Sequence, residues 1–169
     1  MIYCACDPDV STPAFAVFNG IKLVTWKLFR GSPGKWLPKV RGVIEIWQPE
    51  LLVIENQYLP ASIDACRRFR SVSRLVSARA MITAAFILAG IDYEVVEPFA
   101  WQKSLGGSSL GREQLKAVSM LKASEIAGRP IDDHNVADSI NIGYWWFTTN
   151  RFKRGAKRKK RHEAILPAR

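Results

Sequence analysis

Long apolar runs are missing from this chain of 169 residues. The longest charge-free apolar run is Ala80–Ile91, and twelve residues are too few to span a bilayer. No membrane partner is expected. The start, Met1-Ile2-Tyr3-Cys4-Ala5-Cys6-Asp7, has no basic segment and meets an acid at position 7, so it does not read as a signal peptide. Cysteine is scarce. Three residues, an odd number with no CxxC, exclude a disulfide framework and a zinc site. Cys4 and Cys6 fall in an apolar strand and Cys66 on a helix, so all three read as packing thiols of a reducing cell. Acids are also few, 15 against 25 Lys and Arg. What is plentiful is apolar residue, 48 %, which excludes wholesale disorder and allows a sizeable core.

The net charge of +10 is unevenly spread. Residues 151–169 hold nine Lys and Arg against one acid, Glu163, a net of +8, and the first 150 residues carry only +2. One domain, residues 1–149, followed by a basic tail, 150–169, is the expected organisation. A basic segment on a near-neutral body points to a polyanion partner. No sequence feature fixes the structure of the tail. There is no internal repeat.

Apolar and small residues run unbroken through Ile2–Cys6 and stop at Asp7, which predicts a buried strand. Ala14–Asn19 is β-prone, Asn19-Gly20 is a hairpin signal, and Ile21–Arg30 alternates and should pair back. Lys35–Gln48 carries Trp36, Val40, Val43, Ile44 and Trp47 at helical spacing before Pro49. Leu51–Glu55 is a second wholly apolar strand that ends in an acid. A long helix is expected over about 63–89, a strand over Asp92–Val96, a helix over Arg112–Ala127, and a last helix from Asp132 or Asp133 to about Tyr144. The expected fold is α/β: a five-stranded mixed sheet, an antiparallel meander followed by strands parallel to the first.

Two strand-end acids then matter. If the strands of Asp7 and Glu55 are parallel neighbours, both acids emerge at one sheet edge, at the carboxyl ends where α/β sites form. The last helix opens with Asp132-Asp133-His134-Asn135-Val136-Ala137-Asp138. Val136, Ile140 and Ile142 should pack on the sheet. Asp138, with His134 or Asn135 one turn back, can then project toward the strand-end acids. Carboxylates gathered by a fold repel, and persist with protons or a hard cation between them. Mg²⁺ suits such oxygen donors. Two such ions can activate water and stabilise a leaving 3′-oxygen, which is phosphodiester hydrolysis.

At these residues the chain resembles a family. Ile2–Asp7 with its Asp-Pro turn, Leu51-Leu52-Val53-Ile54-Glu55-Asn56-Gln57, Ala78–Ile91, Val95-Val96-Glu97-Pro98 and Ala137-Asp138-Ser139-Ile140 stand in the order of a RuvC-type Holliday junction resolvase, of the ribonuclease H-like superfamily. The resemblance covers roughly residues 1–146 and is similar in style to the short phage members. It implies a sheet with helices on both faces. It also implies a homodimer that makes paired, Mg²⁺- or Mn²⁺-dependent nicks in a four-way DNA junction, with two ions per site and no small-molecule cofactor. Roles in DNA recombination and repair, in the cytoplasm of a bacterial host, follow from it. Its catalytic acids carry over to Asp7, Glu55 and Asp138, with Asp7 bridging the ions. The fourth ligand falls on Asn135, where the family has Asp or His. Two readings stay open. The plain pattern around Asn135 favours an inactivated variant that traps substrate; alternatively, His134 or Asp133 supplies the ligand.

Several residues are candidates for DNA contact. Tyr58 stands where the family stacks an aromatic on bases near the crossover. Arg67, Arg68, Arg70, Arg74 and Arg79, with Phe69 among them, form a helical row with no interleaved acid, suited to phosphates. By resemblance Lys103 and Arg112, with Lys116 as neighbour, flank the scissile phosphate. Gly106-Gly107 could let backbone approach a phosphate. Trp26, Trp36, Trp47, Trp101, Trp145 and Trp146 read as core or dimer packing. Two other functions fit less well: another branched-DNA nuclease or transposase-like enzyme of the same fold, and a non-catalytic basic DNA-binding protein.

Overall fold

A computed structural model describes residues 1–57, 65–107 and 110–163, and for 65–68 and 151–163 the backbone alone. Five strands form one sheet: β1 (Ile2–Asp7), β2 (Ala14–Asn19), β3 (Lys22–Leu28), β4 (Leu51–Glu55) and β5 (Asp92–Val96). Their order is β3-β2-β1-β4-β5. The first three are an antiparallel meander, while β4 and β5 run parallel to β1. This is the expected mixed sheet.

Helices α1 (Pro33–Trp47) and α2 (Ala65–Leu88) cover one face. Short α3 (Pro98–Gln102) leads into a 3-10 turn, Lys103–Leu105, and then to α4 (Arg112–Ala127) and α5 (His134–Glu163). Trp101, α4 and α5 cover the other face. Alternation along β1 explains two cores. Tyr3 and Ala5 point to the α5 side, Cys4 and Cys6 to the α1–α2 side. Cys4 and Cys6 are free thiols fully buried there, and burial pushes the Cys4 thiol up to about 12, so both are packing groups.

By length and composition alone Phe69–Leu88 is long and apolar enough to cross a membrane. In the fold its Ala78, Ile82 and Phe86 stripe is buried with α1 and the sheet. α5 packs so close to the sheet that a methyl group on Gly143 would collide with the Phe18 ring, and Tyr3 Oη donates to the Gly143 carbonyl at 2.9 Å.

The elements differ from the sequence reading in several places: α1 starts at Pro33, two residues before Lys35, and ends at Trp47. α3 was missed because five residues carry no periodicity. β3 starts and ends inside Ile21–Arg30. α5 continues past Tyr144 to Glu163 across the start of the basic segment. Apolar periodicity fades there, yet Lys, Arg and Ala are good helix formers.

Candidate active site

The parallel register pairs Cys6 with Ile54. One residue further on, Asp7 and Glu55 leave the sheet side by side at the carboxyl ends of their strands. α5 lies across this edge because Val136, Ala137 and Ile140 are buried on the sheet. That brings Asp138 within the electrostatic field of both strand-end acids. All three sequence-derived acids therefore meet.

Each carboxyl is pushed toward its protonated form. Burial raises Asp7 well above the usual range, and the charges of Glu55, Asp138, Asp9 and Asp133 add to the shift. Glu55 rises to about 7, mainly by burial and then by Asp138, against two hydrogen bonds that favour its charge. Those come from Trp101 Nε1 to Oε1 at 2.8 Å and from Gln57 Nε2 to Oε2 at 3.1 Å. Asp138 rises to about 6 through burial, opposed by Ser119, His134 and Lys116. Ser119 Oγ donates to Asp138 Oδ1 at 2.5 Å and accepts from Asn141 Nδ2 at 2.9 Å, which fixes the hydroxyl's direction.

The N-terminus of α5 is settled by hydrogen bonds. Asp133 Oδ1 accepts from the backbone N–H groups of Asn135 and Val136 at 3.0 and 3.2 Å, capping the helix. Its other oxygen is 3.8 Å from Arg30. Asn135 is 8 % exposed, and its Nδ2 donates to Thr12 Oγ1 at 2.8 Å and the Thr12 carbonyl at 3.1 Å. His134 instead lines a cleft of about 180 Å³ with Asp138, Trp101, Gln102, Leu115, Arg112 and Lys116.

Of the DNA-contact candidates, this cleft gathers Arg112 and Lys116 beside Asp138. Lys103 is exposed and does not line it, although Gln102 does. Phe69, Arg70 and Arg74 are exposed on α2, and Arg79 is partly buried with no acceptor for its Nε–H among the described residues. Arg67 and Arg68 lie on α2 with their side chains outside the described residues, and Tyr58 lies outside them altogether. Gly106-Gly107 closes a turn: Gly106 is left-handed, and a Cβ on Gly107 would press on the Gln102 carbonyl. Trp101 is 1 % exposed, so packing was rightly expected, but its N–H also orients Glu55. The sequence reading gave Gln57, Ser119, Asn141 and Thr12 no role. Only Gln57 carried a signal, two residues beyond Glu55.

No family model matches the chain, and no curated protein matches it. Solved structures do. RuvC of Thermus thermophilus, in complex with a Holliday junction substrate, superposes with a TM-score of 0.66 at 16 % identity, covering 89 % of this chain and 96 % of that one. A further Thermus thermophilus RuvC structure gives 0.66 at 18 % over the same shares. The yeast mitochondrial Holliday junction resolvase Ydc2 gives 0.54 at 12 %, over 93 % and 83 %. The fold is that of the RuvC-type resolvases. With this fold, Asp7, Glu55 and Asp138 fit a hard divalent cation in donor chemistry. They are oxygen donors, Glu55 buried and Asp7 and Asp138 half-buried, whose mutual repulsion a cation relieves. Among the described residues, no three His, Cys, Asp or Glu side chains stand close enough together to hold a metal ion by themselves.

Proposed function

We propose that the protein is an endonuclease that resolves four-way DNA junctions by paired nicks, acting as a homodimer with two Mg²⁺ or Mn²⁺ ions per site. The observation that carries this reading is the meeting of Asp7, Glu55 and Asp138, from β1, β4 and α5, beside a cleft lined by Arg112 and Lys116. The likeness in fold to RuvC, seen elsewhere with junction substrate, supports it. Asp7, Glu55 and Asp138 would hold the cations. His134 is the better-supported additional ligand, because it lines the cleft with Asp138, whereas Asp133 caps α5 and the Asn135 amide nitrogen is held by Thr12. Bound there, the ions would supply an activated water and charge stabilisation for the leaving 3′-oxygen. The protein's own part is to hold the carboxylates with Trp101, Gln57 and Ser119, and to grip the phosphate backbone with Arg112 and Lys116.

The α2 row Arg67, Arg68, Arg70 and Arg74, with Phe69, Lys103 and the basic segment 151–161, would add backbone contacts, and Tyr58 would stack on a base. Two-fold symmetry in the enzyme would match two opposed cuts. The test incubates the chain with a labelled four-way junction and a linear duplex, with and without Mg²⁺ or Mn²⁺. Symmetric nicks near the crossover, lost on Asp7→Asn, are expected. Tight binding without nicking under every metal condition would instead leave a non-catalytic DNA-binding protein. Nicking of forks and flaps in preference to junctions would leave another branched-DNA nuclease.

A further inference from the structure

We infer that Asn135 is a positioning residue whose amide nitrogen fixes the turn behind Asp7, so that the amide at this position is required and not a disabling replacement of a carboxylate. The inference rests on the nuclease reading only for what the turn serves; the strut itself is a matter of hydrogen bonds.

The turn joining β1 to β2, residues 8–13, begins beside the strand-end acid. Asp9 N–H donates to the Asp7 carbonyl at 3.1 Å. Asp9 Oδ1 then accepts three hydrogen bonds: from Ser11 N and Thr12 N, each at 2.7 Å, and from Thr12 Oγ1 at 2.9 Å. The Thr12 hydroxyl proton is thereby committed to Asp9. Its lone pairs face Asn135, whose Nδ2 donates to that oxygen and to the Thr12 carbonyl. The circuit runs from the first turn of α5 through Thr12 and Asp9 to the backbone of Asp7.

The chemistry of the partners dictates the residue type. A backbone carbonyl only accepts, and a hydroxyl whose proton is committed can only accept as well. Position 135 must therefore donate two protons from one atom. An amide nitrogen has two, and an ionised aspartate has none. The change Asn135→Asp would set a carboxylate oxygen against a carbonyl oxygen, in a site already holding three repelling acids. Asparagine is thus the residue this turn requires.

The test uses the full chain and the variants Asn135→Asp, Asn135→Ala, Thr12→Val and Thr12→Ser. Melting temperature is read without metal at pH 8, Mn²⁺ binding by calorimetry without DNA, and junction nicking with both. Asn135→Ala is expected to lower Tm by about 4 °C for two lost hydrogen bonds. Asn135→Asp should lower it further. Thr12→Val should lower the nicking rate constant about tenfold or more at unchanged junction affinity. Thr12→Ser, which keeps the hydroxyl, should restore it. A merely structural role would not give that rescue of rate without a change in affinity. The inference is overturned if Asn135→Asp keeps its Tm, binds Mn²⁺ more tightly and nicks faster, for then a ligand has been restored. It is also overturned if Thr12→Val matches the parent in rate and Tm. If no variant nicks, nor the parent, the nuclease reading falls, while the Tm order Asn135→Asp below Asn135→Ala below parent still upholds the strut.

Discussion

Trp101 Nε1 points into the acidic cluster and donates to Glu55 Oε1 at 2.8 Å, although the ring itself is core. A buried tryptophan thus does two things: it closes the α5-side core against water and supplies a fixed donor to one of the three carboxylates. Its partner is buried too, so the bond works in a low dielectric, where a donor to a charged group counts for most.

Replacing Trp101 by Phe keeps most of the packing and removes that donor. Glu55, already lifted to about 7, should rise further, since the indole favours its charged form. The loss is expected to be about 1.5–3 kcal/mol when Glu55 is ionised and less when it is protonated. Chemical denaturation at pH 8 and pH 5 measures the difference. In junction cleavage the acidic limb of the pH–rate profile should move upward. An unchanged profile would separate the indole from the chemistry.

Metal-free stability should fall as pH rises. Asp7, Glu55 and Asp138 all have folded pKa values above their unfolded ones, so the folded chain binds more protons than the unfolded chain between roughly pH 4 and 7. The stabilising protonated form is complete at the acid end and lost as pH rises through the folded values. The shift of Glu55 from 4.5 to about 7 corresponds to roughly 3 kcal/mol on its own. Mg²⁺ or Mn²⁺ should reverse the trend, raising Tm more at pH 8 than at pH 5.5. Tm scans in EDTA and in metal across that range are the check, and equal metal effects at both pH values would argue against binding at these acids.

Gly143→Ala tests the seat of α5. The added methyl meets the Phe18 ring and Ala5, both fully buried, so neither can move aside freely. A cost of about 1–3 kcal/mol or more is expected. Because Asp138 and Gly143 share the helix, a displaced α5 should also slow nicking. Loss of activity without loss of Tm would place the effect elsewhere.

Much of this site was legible because it is written in strand ends. A wholly apolar run closing on an acid occurs at Asp7 and again at Glu55, and the sheet topology that aligns them follows from the connections. Asp138 was legible from the spacing of Val136 and Ile140. The direction of an N–H was not legible. Trp101 and Ser119 owe their roles to where α3 and α4 settle on α5, which no local pattern encodes. Asn135 shows the same limit: its likeness to aspartate suggested a disabled ligand, and its partner 123 residues away supplies a different reason for the amide.

Arg112 and Lys116 stand one turn apart at the start of α4, on the wall of the cleft that Asp138 lines. Lys116 also reaches Glu113 at 3.3 Å, an exposed pair of little weight, so its main use is open. If both grip phosphates, the double variant Arg112→Gln/Lys116→Gln should flatten the slope of log affinity against log salt by about 2, one per lost contact. Affinity for a linear duplex and for a junction should fall together, because phosphate contacts carry no shape preference of their own. Nicking should fall more than binding, since these two cations lie beside the reacting edge and those of α2 lie on the other face of the sheet. Titrations at four salt concentrations, paired with single-turnover nicking at saturating protein, separate the two effects. A fall in binding with the slope unchanged would mean that the side chains shape the cleft and leave the phosphates to others.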